Sequence, residues 1–353
     1  MLHHSRHKAK LIIDGIEVKT LLSAKFNDNG NNQLQSLTAG FSDPDLEDMA
    51  LFDKKVELFI NNGSEDGAPI FRGYINQFTS SESKISIKAL DPRMVISGKR
   101  AVPIVIDEKN NYDGHTIVQF LHDYIENNIN IDETLITPDF LHEMDKPVYM
   151  TGVRGTESPY SHIQSLIQNK IDDETSTDRT DSNSVFDYSI DIVHGGRQSG
   201  LTIRKRRALD ENADMHFKYG DGIQSITYNE RAPPSYALGT VKESNEQVIF
   251  DYGNNPFGVK GMDNKKVEGN SRGELRENLI APLMLEQTYT KEISIQCTKG
   301  YTLGIGNIIH IDVPKLNLYG NYAITAKNVS VGNTMSCTLK CNNKPIKLSS
   351  YLN

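Results

Sequence analysis

Apolar residues recur at every second position over two widely separated stretches of this chain. Val56, Leu58 and Ile60 alternate with polar neighbours, and a polar turn follows at 61–67. Phe71-Arg72-Gly73-Tyr74-Ile75 opens the next apolar run, and after a second polar turn at 80–83 comes Ile85-Ser86-Ile87-Lys88-Ala89-Leu90. The order returns near the other end. Ile309, Ile311 and Val313 precede Leu318-Tyr319-Gly320-Asn321-Tyr322-Ala323-Ile324. A polar turn at 332–334 then leads to Cys337-Thr338-Leu339-Lys340-Cys341. Period two predicts short strands with one apolar face. Two similar β-modules at opposite ends predict a pseudo-repeat, which lets a small oligomer present twice as many equivalent surfaces as it has subunits.

The remaining pattern fills in the organisation. Lys10 to Ile13, the turn Asp14-Gly15 and Ile16 to Val18 read as a tight hairpin. Residues 33–41 alternate again, Asp43-Pro44 starts a turn, and 46–51 read as a short helical turn. Over 112–171 the period changes: Asp113 is a candidate cap for a helix striped by Ile117, Phe120, Leu121, Tyr124 and Ile125. Ser158-Pro159 opens a second helix through Ile163, Leu166, Ile167 and Ile171. Residues 172–184 are nearly all Asp, Thr, Ser and Asn and read as a solvated loop. Phe186 to Ile192 and Leu201 to Ile203 flank Gly195-Gly196 as a hairpin. Residues 223–250 read as strands and 251–270 as a Gly/Asn-rich excursion. Ser271 and Glu274 form a capping-box pattern opening a helix through Leu275, Leu279 and Leu283, limited by Pro282. The expected fold is α+β, mainly β: two similar barrel modules at 1–103 and 223–353, with a helical insert at 104–184 and a hairpin or mixed insert at 185–222. The second module carries the helix at about 271–287.

Composition narrows the function classes. The chain has 353 residues and a formal net charge of −8, so bulk attraction to nucleic acid is not expected. No run approaches the ~20 apolar residues of a membrane-spanning helix, and the polar, basic start has no secretory pattern. Three cysteines (Cys297, Cys337, Cys341) are too few for a disulfide framework and read as buried thiols of a reduced protein.

Candidate chemistry reduces to structural explanations. The His3-His4-Ser5-Arg6-His7 start reads as a polar terminus. His310-Ile311-Asp312 offers two ligands on one strand face, without a third. Cys337 and Cys341 lie on one strand about 13 Å apart, too far for one metal. Asp43, Asp45, Glu47 and Asp48 lack the glycine and terminal glutamate of a calcium loop. Gly300 to Gly306 lacks the Gly-Lys-Ser/Thr ending of a phosphate loop and reads as strand-connecting turns. Arg204-Lys205-Arg206-Arg207 has no interleaved aromatics and reads as a solvated strand end or an intersubunit salt-bridge site. No catalytic, cofactor or metal residue is expected.

Two passages carry a family resemblance. One runs from Val56-Glu57-Leu58-Phe59-Ile60 through Phe71-Arg72-Gly73-Tyr74-Ile75 to Ala89-Leu90-Asp91. The other runs from the helix after Ser271 through Tyr301-Thr302-Leu303-Gly304-Ile305-Gly306-Asn307-Ile308-Ile309 to Leu318-Tyr319-Gly320-Asn321-Tyr322. In this order the chain resembles the central hub proteins of contractile-tailed phage baseplates, the family that includes late control protein D. Where members carry Pro-Gly-Asp in a turn, this chain has Gly304-Ile305-Gly306-Asn307. The resemblance implies two tube-type β-barrels per chain and a homotrimeric ring of pseudo-sixfold symmetry. Such a ring would join a hexameric tail tube or tube-initiator protein above to a trimeric spike below. The spike is expected to be a separate polypeptide, because the chain ends shortly after the second barrel. Peripheral baseplate proteins would be further partners and DNA would pass through the channel without stable binding. No membrane insertion and no cofactor are implied. The location would be the virion tail baseplate, assembled in the host cytoplasm.

Three other readings stand beside this one. The same fold serves the hub of a phage-like injection or secretion particle, which only its neighbours distinguish. A tail-associated cell-wall hydrolase needs paired carboxylates or a Cys/His site in a cleft. A carbohydrate-binding β-module needs aromatic platforms, and the chain has no tryptophan.

Overall fold

The computed structural model describes residues 8–29, 33–47, 50–61, 68–81, 84–97, 112, 114–129, 136–142, 149–150, 158–163, 188–194, 198–205, 207, 209–231, 236–241, 244, 246–251, 262–269, 275, 290–332 and 334–343. Strands dominate. The first, β1 (Lys8–Ile13), is turned into β2 (Ile16–Glu17) by Asp14 and Gly15, whose φ angles are 50° and 83°. A two-residue loop with both φ values positive matches the twist of the strands it joins. Next come β3 (Thr20–Asp28), β4 (Ser36–Ser42), the short helix α1 (Pro44–Glu47), β5 (Lys55–Asn61), β6 (Phe71–Ser81) and β7 (Lys84–Leu90). They pair in the order β3-β4-β7-β6-β5-β1-β2, every neighbour antiparallel.

The insert builds a separate core. Helix α2 (Ile117–Asn128) begins at Thr116, not at Asp113, which lies outside the described residues. Thr116 Oγ1 accepts from Gln119 N at 3.1 Å while Gln119 Oε1 accepts from Thr116 N at 3.0 Å. This reciprocal capping box satisfies two amides that start the helix. The anticipated stripe of Ile117, Phe120, Leu121, Tyr124 and Ile125 is buried throughout. It packs with β8 (Ile136–Thr137), β9 (Tyr188–His194) and β10 (Ser199–Lys205), so helix and hairpin share one apolar cluster with Tyr160, Ile163, Ile190 and Leu201. Only 159–163 of the second expected helix and Leu275 of the third are described.

The chain then forms β11 (Met215–Tyr219), β12 (Gly222–Arg231), β13 (Tyr236–Val241), β14 (Gln247–Asp251), β15 (Met262–Gly269), β16 (Thr290–Cys297), β17 (Ile308–Val313), β18 (Leu318–Val331) and β19 (Met335–Asn342). Strand β15 corrects the reading of 251–270 as an excursion: Met262–Gly269 pairs parallel with β13 in a small sheet β14-β13-β15. The other six strands close on themselves as β17-β11-β12-β16-β19-β18-β17, a barrel.

Five strands of the first module repeat in the second, down to their irregularities. In β6–β7, pairing shifts between Ile75 and Gln77; in β18–β19 it shifts between Ile324 and Ala326. In β3–β4 the shift falls between Leu21 and Ser23; in β12–β16 it falls between Ile223 and Ser225. Each bulge leaves one extra residue at the matching place: Asn76 and Thr325, Leu22 and Gln224. Following the registers outward matches Val56 with Ile309, Leu58 with Ile311, Ile85 with Cys337 and Ile87 with Leu339. One strand breaks the correspondence. β1 runs antiparallel to β5, whereas β11 runs parallel to β17.

Candidate functional site: the barrel joint and the edges beside it

The modules are fused by hydrogen-bonded strands. β18 pairs antiparallel with β3, setting Lys327 opposite Asp28, Asn328 opposite Asn27, Val329 opposite Phe26, Ser330 opposite Lys25 and Val331 opposite Ala24. The result is one thirteen-stranded sheet, and a single apolar cluster runs from Leu11 and Phe41 in the first module to Ile311 and Leu339 in the second. Lys327 is 5% exposed at this joint. Its Nζ donates to the carbonyl of Leu303 at 2.7 Å and to the carbonyl of Tyr301, and it lies 5.7 Å from the Phe26 ring centroid. Burial holds its pKa below the usual lysine value, against the pull of the Cys337 and Cys297 thiols and Asp28. The Gly-rich segment 300–306 is thereby strand-connecting turn, pinned by an amine from a neighbouring strand. Gly300 and Gly306 take φ of 95° and 82° there, conformations that favour glycine.

A second polar joint ties the first module to the insert. Asp91, fully buried, accepts from Gln35 N at 2.5 Å, from Arg93 N at 2.8 Å and from Arg93 Nη2 at 2.7 Å. The Arg93 guanidinium also donates to the Ile190 carbonyl at 3.0 Å, the Gln33 carbonyl at 2.9 Å and the Tyr160 hydroxyl at 3.3 Å. Burial works against its charge, but Asp91 outweighs it and raises the pKa further above the ordinary value. His194 joins from β9, with Nδ1 2.8 Å from Ser199 Oγ and Nε2 3.3 Å from Gln35 Oε1. Burial pushes its pKa down to about 4, with the Arg72, Arg93 and Lys327 charges adding to the effect.

Several of the candidate residues make structural contacts. His310 Nδ1 sits 2.9 Å from Asn321 Oδ1, and its ring packs between His216 and Tyr319 at 5.1 and 4.9 Å. No group of three or more metal-ligating residues occurs among the described residues. Cys297 and Cys337 lie opposite each other across β16 and β19, and all three cysteines are buried free thiols. Asp43 accepts from Lys19 N at 2.9 Å and Asp45 N at 3.1 Å, the capped turn expected of that acidic cluster. Of the basic run, Arg207 donates to Asp214 Oδ2 at 2.6 Å and Glu211 Oε2 at 2.8 Å. Asp214 in turn accepts from Ile308 N at 2.9 Å, so this arginine braces the second barrel. Arg206 and His3 to His7 lie outside the described residues. Among the described residues no helix is long and apolar enough to cross a membrane.

Two sheet edges have no strand partner on one side among the described residues. β6 is flanked by β5 only at 71–74, leaving that side of 77–81 open. β12 is flanked by β11 only at Gly222 and Ile223, leaving the same side of 225–230 open. Phe78 on the first and Tyr228 on the second are 40% and 43% exposed. The sequence signals neither edge, because which strand lies beside β6 or β12 is set by long-range pairings that periodicity does not carry.

No protein-family model matches this chain, and no curated protein matches it. Solved structures share its fold. A tail protein of Neisseria meningitidis MC58 superposes with a TM-score of 0.61 at 11% identity, over 97% of this chain and 98% of its own. The 43 kDa tail protein of prophage MuSo2 from Shewanella oneidensis gives 0.63 at 10% identity, over 95% and 96%. An Escherichia coli component of the type VI secretion system, itself similar in structure to T4 bacteriophage tail proteins, gives 0.59 at 10% identity, over 96% of this chain and 78% of its own. The chain therefore has the mainly-β, barrel-bearing fold of phage tail and type VI secretion proteins over nearly its whole length.

Proposed function

We propose that this chain is a structural hub of a phage tail baseplate. Three copies form a ring of pseudo-sixfold symmetry between a hexameric tail tube and a separate trimeric spike. The observation that carries the reading is the internal repeat: two β-modules matched over five strands, with the same bulges, in one continuous sheet. A ring of three matches a ring of six only when each subunit offers two near-equivalent faces. The fold shared with phage tail proteins supports the same setting. On this reading the modules lie at 1–103 and 223–353, the second taking β11 (Met215–Tyr219) from the 185–222 segment; the insert at 104–184 and the rest of 185–222 face peripheral baseplate proteins, and DNA passes through a neutral to acidic channel. The role is mechanical, not catalytic, and the location is the virion tail, built in the host cytoplasm.

Native mass spectrometry, alone and with candidate tube and spike proteins, tests the proposal. Three copies per particle are expected, and a monomer or hexamer in the particle overturns it. A second reading, the hub of a secretion particle, is favoured by the shared fold of the type VI component. The two predict different co-purifying partners, a phage tube or a secretion tube. A cell-wall hydrolase would instead release soluble fragments from peptidoglycan, with activity lost on changing one carboxylate or cysteine.

A further inference from the structure

We infer that the open edge of β6 in one copy pairs antiparallel with the open edge of β12 in the next, in the register that β18 and β3 use within the chain. The number of copies rests on the ring reading above; the register does not. It follows from the repeat alone. Matching bulges and pairings equate Lys327 with Phe78, Asn328 with Thr79, Val329 with Ser80 and Ser330 with Ser81. They likewise equate Asp28 with Glu230, Asn27 with Asn229, Phe26 with Tyr228 and Lys25 with Thr227. Within the chain Lys327 faces Asp28 and Asn328 faces Asn27. Between copies, Phe78 faces Glu230, Thr79 faces Asn229, Ser80 faces Tyr228 and Ser81 faces Thr227.

Three features of the edges favour a second copy as the occupant. Both are on the side that the internal joint covers in the sister module, so the backbone is already shaped for this partner. Natural edge strands are usually blunted by lysine, proline or a bulge; residues 77–81 and 225–230 contain no lysine and no proline, and each strand's bulge lies before its open stretch. Each edge also carries one exposed aromatic, and the register makes Phe78 and Tyr228 diagonal neighbours on one face. Lys327 and Phe26 hold those positions in the internal joint, where the ammonium lies over the ring. Aromatic cross-strand neighbours stabilise a sheet. The contact is head to tail, using different surfaces on the two copies, so it propagates until a ring closes.

Cysteine pairs placed in the full chain read the register. Residues directly opposite in an antiparallel pair have Cα atoms about 4.5–5.5 Å apart, within disulfide reach. T79C/N229C with oxidised glutathione should give a disulfide between copies, two thiols losing two electrons as glutathione disulfide is reduced. Non-reducing gels should show dimers and then a covalent closed ring. The single variants, and the out-of-register pair S81C/E230C, should not cross-link. Charge gives an independent reading. F78E sets two carboxylates opposite each other and should weaken association about fivefold per interface. F78E/E230K should restore it, which a folding defect would not allow.

Absence of the T79C/N229C cross-link overturns the inference, whatever the oligomeric state. If light scattering still reports trimers, the ring reading survives and only the interface falls. A cross-link equally strong in the out-of-register pair also overturns it. A cross-linked series closing at a number other than three upholds the interface and rejects the threefold ring.

Discussion

Replacing Lys327 with methionine tests the barrel joint where one side chain holds three parts of the chain together. The amine is buried and donates to two carbonyls in the 300–306 turn. Methionine fills the volume but donates nothing, and each buried carbonyl left without a donor costs about 1–3 kcal/mol. Against this, the substitution removes the desolvation cost that depresses the lysine pKa. A net loss of about 2 kcal/mol at pH 7 is expected, the low end of the two-carbonyl sum. The pH dependence separates the two terms. Below the folded-state pKa both states carry the proton and the folded state bears the full desolvation cost. Between that pKa and the ordinary 10.5 the unfolded chain binds more protons, so this lysine's contribution to stability rises with pH. The destabilisation by K327M should therefore be larger at pH 10 than at pH 7. Tyr301, pushed up to about 12 by burial, bends the stability of both proteins downward at alkaline pH and cancels in the difference. Urea titrations followed by circular dichroism, at one concentration and at both pH values, measure it. A methionine variant as stable as the parent at pH 10 would refute the role given to the two carbonyls.

Three further outcomes follow from the same contacts. A Cβ on Gly73 would sit 2.1 Å from the Leu90 carbonyl oxygen, so G73A should cost about 1–3 kcal/mol or more of stability, read as a lower urea midpoint. R93M leaves Asp91 buried without its partner and should cost about 3–5 kcal/mol; a loss below 1 kcal/mol would refute the pairing as a prop of this joint. His194, with its pKa pushed down to about 4, stays neutral in the fold while the unfolded chain protonates below 6.5. Stability should fall by about 2 kcal/mol between pH 7.5 and 5, and H194Q should flatten that limb in the same titration.

What the sequence made legible follows from where its period was clean. Val56, Leu58, Ile309 and Ile311 alternate without interruption, and so do Ile85, Ile87, Cys337 and Leu339; the structure matches these residues pair by pair. The α2 stripe was legible for the same reason, at period 3.6. Strand β3 was not read, because its bulge at Leu22 displaces the alternation and turns that leucine to solvent, 46% exposed. β15 was hidden by its composition, Asp263 to Lys266 being polar in a strand of a small sheet. The glycines misled in a different way. Gly73 and Gly320 hold similar places in the text, but the pairings set Gly73 against Tyr322 and Phe71 against Gly320. Gly73 is required by the backbone of β7 packed against it, and Gly320 takes a φ of 140°. Buried Lys327 and Arg93 gave no signal at all, since a long-range partner decides whether a cation can be buried.

The residues that differ between the two matched joints state what each joint is for. Val329 and Phe26 are buried where the barrels meet inside the chain; Ser80 and Tyr228 occupy the corresponding places on the open edges and are exposed. The backbone pattern is the same, so the substitution of serine for valine and tyrosine for phenylalanine is not demanded by strand geometry. An internal joint forms once, during folding, and can be apolar throughout. An edge that waits for a second copy must stay soluble before it meets one, and a strand with alternating apolar side chains would pair indiscriminately. Serine and threonine keep the waiting strand wet. Phe78 and Tyr228 retain enough aromatic surface to reward the one register that brings them together. The repeat thus supplies the geometry of assembly, and its divergence supplies the order: folding closes the first joint, association the second.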